Sequence, residues 1–285
     1  MQKRVKLAIN NYFKSTIGRA FNKTAHEEYI CAQIENIALI VLYNVIEELK
    51  HSDFLPGVFE AKLNEDYKYK DFDITLEGKI DRVDLLQIKE DLWVRVIDYK
   101  SGRKRFSLVD IYNGLYYQVL FYMRLLLNLK AQTKLLPAGA LYMPIKSELL
   151  AQEASGFTEV GQAFKAPKMY GVVVDDREVL KHMEEDLGGK IIPASVNKDG
   201  EFKSSSSVFT INQFNLVFNY MKKLIEKLFD FIEDGDFRPI PLKFNDYDVC
   251  KTCEYRSICG FEEDDEKRAK ECIPEEEFWK ALMVE

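Results

Sequence analysis

Two aspartates and a lysine stand where two apolar, strand-like stretches of the chain end. Ile80 leads into Asp81, and Ile97 leads into Asp98, which Lys100 follows two positions later. Alternate residues of a strand point to the same face, so Asp98 and Lys100 share one side, and Asp81 meets them there if the two strands pair. Two carboxylates in one site repel each other unless a cation lies between them, and a hard divalent ion prefers oxygen ligands. With an ammonium group nearby, such a site is suited to the hydrolysis of a phosphodiester.

The region after these strands predicts a helix that presents two further polar groups. The apolar spacing runs over 108–130 without proline, and Ser107 stands where an N-cap is expected. Gln118 and Tyr122 are four positions apart, so they lie one above the other on the same helix face. The simpler interpretation makes Tyr122 a core aromatic residue, Gln118 a polar residue at the helix edge, and the acidic strands an ordinary solvent-facing hairpin.

The turn after Lys100 is strongly basic. It comprises residues 101–105, and the stretch from Arg95 to Arg105 contains five lysines and arginines against one aspartate. We therefore expect a basic patch that coincides with the proposed site, where Arg103, Lys104 and Arg105 would hold the phosphates of a nucleic acid. The alternative is a solvated basic loop.

Three of the five cysteines have the spacing of metal ligands. Cys250, Cys253 and Cys259 lie within ten residues, in a chain whose start does not resemble a secretory signal that would favour disulfides. Zinc and an iron–sulfur cluster both fit this spacing. Cys31 lies among apolar residues of a helical stretch and suits a buried position. Cys272 is a candidate fourth thiolate only because it is near in sequence.

Composition indicates a globular protein with an acidic surface. The chain has 285 residues, of which 47% are hydrophobic, and a formal net charge of −7. This length can bury one sizeable core, with room for a small appendage. The net charge argues against a surface that coats nucleic acid generally, but a local basic patch remains compatible with it. The sequence shows no phosphate-binding glycine loop and no run of eighteen apolar residues, so we expect no ATP hydrolysis, no membrane span and a cytoplasmic location.

The order of predicted elements suits a mixed α/β sheet flanked by helices. Helices are predicted over 5–21, 24–50, 108–130 and 177–185, with a long one from 210 to 233 that Thr210 and Gln213 cap; strands are predicted over 58–63, 67–74, 76–86, 93–99, 138–143 and 170–174. We divide the chain into an N-terminal helical segment (1–57), a core (58–241) with an insertion near 146–168, and a cysteine-rich segment with an acidic tail (242–285).

Three strings of the sequence resemble the motifs of a known family. They are Gly78-x-Ile80-Asp81-Arg82-x-Asp84, then Val96-Ile97-Asp98-Tyr99-Lys100-Ser101-Gly102, then Gln118-x-x-x-Tyr122. Together they resemble the PD-(D/E)XK nuclease superfamily and its RecB-like branch, most closely the C-terminal nuclease domains of AddB subunits of bacterial helicase–nucleases. The resemblance is densest over 60–122 and returns at the cysteines. It implies a restriction-endonuclease-like fold and a metal-dependent deoxyribonuclease.

The resemblance also implies roles for individual residues. Its catalytic positions fall on Asp81, Asp98, Lys100, Gln118 and Tyr122. The two aspartates and the backbone carbonyl of Tyr99 would bind Mg²⁺ or Mn²⁺, and Lys100 would orient the water or stabilise the developing negative charge. Gln118 and Tyr122 would support the lysine and the DNA strand. Arg82 and Asp84 belong to the motif without a catalytic role, and Glu60 is a weaker candidate for an additional acid.

The cysteine trio has a counterpart in the same family. There, Cys250, Cys253 and Cys259 would correspond to three ligands of a [4Fe–4S] cluster, whose fourth cysteine lies far upstream, as does a metal-binding histidine on an early helix. Both would precede the region where this chain begins, so we expect a truncated relative that lacks them. The implied setting is double-strand break repair and recombination, with a single-stranded DNA end as substrate and an AddA-type partner subunit.

Three other interpretations stay open at this point. A stand-alone CRISPR-associated or phage-type iron–sulfur nuclease would use the same motifs. A non-catalytic scaffold would keep the nuclease fold to bind DNA ends or a partner, although intact Asp81, Asp98 and Lys100 argue against it. A zinc-clipped interaction module would explain the cysteines and leave the acids as coincidence.

Overall fold

A computed structural model describes residues 1–16, 24–100, 106–129, 133–145, 168–244, 247–262 and 264–284 of the chain. The chain forms two compact units, and each is described by itself. The first comprises residues 1–61, 80–105 and 131–209, and the second comprises residues 62–79, 106–130 and 210–285. The predicted division at 57 and 241 stays a prediction. The basic turn 101–105 and, except for Lys168, the predicted insertion near 146–168 lie outside the described residues.

Two helices open the first unit, as predicted. The first, α1, spans Gln2–Thr16, and the second, α2, spans Ala25–Lys50. A reciprocal capping box starts α2: Glu27 donates its backbone N–H to the Thr24 hydroxyl, and Thr24 donates its backbone N–H to the Glu27 carboxylate. Two otherwise unpaired donors of the first turn are satisfied in this way, which fixes where the helix begins.

The second helix has an apolar composition throughout most of its length. By length and composition it could cross a membrane, and within the described ranges it is the one helix that passes this test. Core helices of soluble proteins pass it too, and here Asn44 and Glu48 of α2 are buried inside the protein while Tyr29, Ile30 and Ile34 are exposed. The absence of a membrane span therefore stays a prediction from the sequence.

Six strands of the described chain form one mixed sheet, in the order β1-β2-β3-β4-β5-β6. The strands are β1 (Leu55–Tyr69), β2 (Phe72–Ile88), β3 (Asp91–Lys100), β4 (Leu135–Pro144), β5 (Tyr170–Val174) and β6 (Val208–Phe209). The pairs β2–β3 and β4–β5 are antiparallel, whereas β3–β4 and β5–β6 are parallel. This mixed sheet with its helices confirms the predicted fold class.

The strands predicted over 58–63, 67–74 and 76–86 are wrong in their boundaries. The structure has two long strands joined by a turn at Lys70, whose φ of 50° lies in the left-handed region. Thr75, placed between two predicted strands, lies inside β2, and its hydroxyl donates to the Asp66 carboxylate at 2.7 Å. The polar residues of this hairpin alternate with half-buried ones, so a polar residue there marks the exposed face of a strand rather than its end.

The helix predicted over 108–130 is also wrong, because the structure breaks it in two. Helix α3 spans Leu108–Tyr112 and α4 spans Gln118–Leu127. The connection needs positive φ at Gly114 (79°) and Tyr116 (58°). A glycine after the last turn is a common helix stop, and the apolar spacing masked that signal.

The predicted cap of that helix fails as well. Ser107 occupies the N-cap position without a side-chain capping bond. The acid three positions later, Asp110, instead accepts from Lys270 at 2.5 Å.

The remaining elements are short, apart from one long helix. Helix α5 (Arg177–Lys181) belongs to the first unit, and α6 (Ile211–Glu233), β7 (Lys243–Phe244), β8 (Tyr247–Asp248), a 3₁₀ turn (Val249–Thr252) and α7 (Glu275–Val284) belong to the second. The predicted capping box of Thr210 and Gln213 is present at the start of α6. Gly235, with φ of 67°, follows the end of α6, where a glycine in the left-handed region is a common helix stop.

Candidate active site

The pairing of β2 with β3 decides which side chains meet. Arg82 lies opposite Ile97 and Asp84 lies opposite Arg95 in an antiparallel ladder. Residues directly opposite each other share a face, and successive residues alternate. One face of the strand pair therefore carries Asp81, Asp98 and Lys100, which we call the acidic face. The other face carries Arg82, Asp84, Arg95 and Tyr99, which we call the arginine face.

The acidic face brings both acids and the lysine together in the first unit. The Tyr99 backbone N–H donates to Asp81 Oδ2 at 2.9 Å, so the Asp81 carboxylate reaches the neighbouring strand beside Asp98. Lys100 Nζ lies 2.7 Å from Asp98 Oδ2, and the same nitrogen is 5.9 Å from the centre of the Tyr142 ring. Asp98 is only 2% exposed. A charged carboxylate this deeply buried needs a cation, and Lys100 supplies one here.

The donor set suits a hard divalent cation. Both side chains offer carboxylate oxygens, which Mg²⁺ and Mn²⁺ prefer over nitrogen or sulfur. Asp81 is half-buried and Asp98 is buried, so an ion between them would be partly shielded from water. Within the described residues, no group of three or more histidines, cysteines or acids converges on one point. A metal at the acidic face would therefore rest on two carboxylates and complete its shell with a backbone carbonyl, water or phosphate.

Gln118 and Tyr122 meet in the second unit. Gln118, the first residue of α4, donates from Nε2 to the Tyr122 hydroxyl at 2.9 Å, as expected for residues four apart on a helix. The Tyr122 ring lies against Gly78 of β2: a Cβ atom at Gly78 would come within 2.9 Å of ring carbons Cδ1 and Cε1, and within 3.0 Å of Leu125 Cδ1. Because Gly78 has no side chain, the Tyr122 ring can pack directly against the β2 backbone at this position. We call this contact the seat of Tyr122.

Gly78→Ala is expected to displace the Tyr122 ring and to lower the free energy of unfolding by about 1–3 kcal/mol, the usual cost of overpacking. Urea denaturation measures the change. Gly188→Ala is the matched control, because its Cβ meets nothing nearer than the movable Asp186 Oδ1 at 3.2 Å. Equal stability of the two variants would mean that Tyr122 does not depend on this seat.

Three of the four thiols of the cysteine-rich segment, those of Cys250, Cys253 and Cys259, lie close together in the chain. Asp248 accepts from the Cys250 backbone N–H at 2.9 Å, and the Cys253 N–H points back to the Cys250 carbonyl at 3.4 Å. The Phe261 N–H donates to Cys259 Sγ at 3.4 Å. Partial desolvation and the nearby Asp248 carboxylate raise the pKa of Cys250, so without a metal this thiol stays protonated at neutral pH. A metal would have to displace that proton.

The arginine face holds a cluster of four buried charges, formed by Glu48, Arg82, Asp84 and Arg95. Arg82 donates to Asp84 Oδ1 from Nε at 2.6 Å and to Glu48 Oε2 from Nη2 at 3.0 Å. Arg95 donates to Asp84 Oδ2 from Nε at 2.8 Å and to Glu48 Oε1 from Nη2 at 2.6 Å. All four side chains are fully buried, and the Arg95 guanidinium also stacks 4.9 Å from the Phe54 ring centre. Two positive and two negative charges cancel within this cluster.

This cluster shows that the predicted basic patch is wrong at Arg95. Arg95 is not part of a phosphate-binding surface, because it is buried on the arginine face and neutralised by Asp84 and Glu48. On the acidic face, Lys100 is paired with Asp98. The other basic residues of the predicted patch lie outside the described residues.

Tyr99 links the two faces. Its backbone N–H binds Asp81 on the acidic face, while its side chain lies beside the Arg82 guanidinium on the arginine face. Burial raises the pKa of Tyr99, and the positive Arg82 partly opposes this rise.

Sequence reasoning missed Glu48 and the seat at Gly78. A glutamate within the apolar pattern of α2 and an arginine inside the apolar stretch of β3 are signals of buried ion pairs, since unpaired charges are rarely buried. Which acid pairs with which arginine could not be inferred, because Glu48 and Arg95 are 47 positions apart. Glu60, the weaker candidate acid, is exposed on β1 with φ of 54°.

Comparison with known families defines the class of protein. A profile of the PD-(D/E)XK nuclease superfamily matches residues 8–260. The chain therefore belongs to the PD-(D/E)XK nuclease superfamily, which confirms the resemblance seen in the motifs.

Among curated proteins, several AddB proteins, each named as a subunit of an ATP-dependent helicase/deoxyribonuclease, are similar to this chain. The one from Clostridium novyi (strain NT) is 35% identical over 290 residues, covering 95% of this chain and 26% of the relative. The one from Thermoanaerobacter sp. (strain X514) is 30% identical over 298 residues, covering 99% and 26%. The one from Clostridioides difficile (strain 630) is 30% identical over 263 residues, covering 86% and 23%. The chain thus spans about a quarter of the length of these relatives.

Proposed function

We propose that this chain is a metal-dependent deoxyribonuclease domain whose active site is the acidic face of β2 and β3. The observation that carries the proposal is the convergence of Asp81, Asp98 and Lys100, with the lysine 2.7 Å from one acid and the other acid bound to the intervening backbone. These are the residue types that metal-assisted phosphodiester hydrolysis needs. The proposed cations are Mg²⁺ and Mn²⁺.

Each residue has a defined role in this proposal. A bound divalent ion would activate water and polarise the scissile phosphate. Asp81 and Asp98, together with the carbonyl of Tyr99, would hold that ion. Lys100 exchanges its present partner Asp98 for the attacking water or for the phosphate oxygen on which negative charge develops. Because its side chain is about one-quarter exposed (24%), Lys100 can reach a substrate at the surface.

Gln118, Tyr122 and the basic turn complete the proposed substrate contacts. The Tyr122 hydroxyl, held by Gln118 Nε2, and the ring seated against Gly78 form a fixed polar and aromatic surface. Such a surface can stack on a base and hydrogen-bond to a single strand. Arg103, Lys104 and Arg105 are proposed to contact the phosphates that flank the cleaved bond.

A [4Fe–4S] cluster on Cys250, Cys253 and Cys259 is a separate proposal that depends on the family resemblance. A cluster of this type needs four thiolates, and Cys250, Cys253 and Cys259 supply three; Cys272 is free and exposed, and only its nearness in sequence recommends it as the fourth. The described residues do not gather three or more ligands around one point, and a fourth ligand is not identified among them. The residues present therefore do not complete a cluster site, and no catalytic step depends on one. Iron and zinc analysis of the purified protein distinguishes the two metals.

The biological setting follows from the relatives. Their name describes a component of an ATP-dependent helicase and deoxyribonuclease. By this similarity we propose that the chain acts on single-stranded DNA ends in double-strand break repair and recombination, in the cytoplasm, with an AddA-type helicase–nuclease subunit as partner. Because the chain spans about a quarter of these relatives, ATP-driven unwinding belongs to other parts of such an assembly.

Purified protein is expected to cleave single-stranded DNA in the presence of Mn²⁺ and to lose all cleavage when a chelator is added. End-labelled linear strands and a circular single strand are compared in the same assay. Cleavage of linear strands alone would define an exonuclease, and cleavage of both would define an endonuclease. Retained binding to DNA ends without cleavage in Mn²⁺ or Mg²⁺ would favour the scaffold instead.

A further inference from the structure

We propose that Glu48 of α2 positions the candidate active site from the opposite side of the sheet. By binding Arg82 and Arg95 at once, it fixes the two strands whose other face carries the site acids. This inference rests on the proposed function, because the effect that it predicts is on metal binding at the acidic face.

Glu48 is the only member of the buried cluster that does not belong to the strand pair. Asp84 and Arg82 lie on β2, and Arg95 lies on β3, whereas Glu48 comes from a helix that precedes both strands. Its two carboxylate oxygens divide between the strands: Oε2 accepts from Arg82 at 3.0 Å and Oε1 accepts from Arg95 at 2.6 Å. A bidentate carboxylate used in this way sets the separation and tilt of two guanidinium groups.

A displacement of the arginines would also displace the site acids, because both sets of side chains are attached to the same two strands. Arg82 follows Asp81 directly, and successive side chains of a strand point to opposite faces, so a rotation of β2 at Arg82 turns Asp81 as well. The hydrogen bond from the Tyr99 N–H to Asp81 Oδ2 spans the two strands at 2.9 Å and tolerates little displacement. The preorganisation of metal ligands depends on such supporting contacts.

Loss of the Glu48 charge would leave Asp84 as the only acid between two buried guanidinium groups. Glutamine at position 48 has the same shape, but its amide nitrogen would face a guanidinium donor instead of accepting from it. Arg82 and Arg95 already share Asp84, so without Glu48 the second acid that sets their separation would be lost, and β2 and β3 would shift relative to each other. Asp81 and Asp98 would still be present, but their carboxylates would no longer be positioned to bind one metal ion together.

The test compares Glu48→Gln with Glu47→Gln. Glu47 is the preceding residue of α2 and pairs with Lys50 near the surface, so it controls for a lost charge on the same helix. Mn²⁺ binding, measured by calorimetry without DNA, is expected to weaken about tenfold in Glu48→Gln, the effect typical of a lost support to a metal ligand. The Glu47→Gln variant should bind as the wild type does. In the cleavage assay, kcat at limiting Mn²⁺ should fall, the KM for DNA should stay constant, and excess Mn²⁺ should restore part of the rate.

Each outcome decides between the two proposals. A folded Glu48→Gln protein that binds Mn²⁺ as tightly as wild type overturns the positioning role and leaves the nuclease proposal intact. A wild-type protein that neither binds Mn²⁺ nor cleaves DNA overturns both. If Glu48→Gln does not fold, Glu48→Asp takes its place: it keeps the charge, is shorter by one methylene, and should weaken Mn²⁺ binding by a smaller factor. Unchanged Mn²⁺ binding in Glu48→Asp would overturn the inference.

Discussion

Asp98→Asn is expected to remove Mn²⁺-dependent DNA cleavage by more than about a hundredfold, since even the outer partners of metal ligands cost roughly 10–100-fold when they are lost. Asparagine keeps the shape of Asp98 but removes the negative charge that faces Lys100 at 2.7 Å. An uncharged amide binds a hard divalent cation weakly, and it no longer balances the ammonium. The measurement is the initial rate of cleavage of a labelled single strand over a range of Mn²⁺ concentrations.

Asp91→Asn is the control for this prediction. Asp91 is the first residue of the same strand, is exposed, and pairs with Ile88 at the far end of the β2–β3 ladder. Its replacement changes net charge equally and should leave the rate unchanged. Full activity in a folded Asp98→Asn protein, with cleavage still abolished by chelator, would place the metal on other residues.

Arg82→Ala is expected to lower the free energy of unfolding by about 3–5 kcal/mol, the range for removing one partner of a buried ion pair. Among the described residues, the substitution leaves Glu48 and Asp84, both fully buried, with Arg95 as their one cationic partner. An excess negative charge in the interior costs more than the lost hydrogen bonds alone. Urea denaturation of the variant and of wild type gives the difference.

The corresponding surface substitution is Arg177→Ala. Arg177 and Glu201 are both exposed and 3.9 Å apart, so the loss of this pair should cost about 0–1 kcal/mol. A cost for Arg82→Ala that is no larger would mean that water reaches the buried cluster and screens its charges.

The geometry of the acids and lysine could be predicted because it depends on local rules. Strand alternation alone placed Asp98 and Lys100 on one face, and the pairing of the strands brought Asp81 to them. The start of α6 was equally predictable, since Thr210 and Gln213 cap it through contacts three residues apart. In each case the partners are close in sequence or in neighbouring strands.

The features that sequence reasoning missed depend on long-range contacts. The sequence predicts that Arg95 belongs to a basic surface, because it lies in the same lysine- and arginine-rich stretch as Lys100. In the structure, Glu48 of α2 and Asp84 neutralise it instead. The break before Gln118 depends on two residues with positive φ, Gly114 and Tyr116, inside an apolar pattern that continues across them. A periodic pattern describes which face is buried, not whether the backbone is continuous.

The division of β2 and β3 into an acidic and an arginine face limits how this stretch of chain can vary in evolution. A one-residue insertion or deletion inside either strand, between Asp81 and Ile88 or between Asp91 and Lys100, would exchange the faces of the residues beyond it and separate the site acids from one another. Within these two strands, evolution can therefore proceed only by substituting one residue for another. Length changes are tolerable farther out, for example at the hairpin turn beside Lys70. Among distant members, the spacing within each of the two strands should therefore be kept longer than the identity of most residues in it.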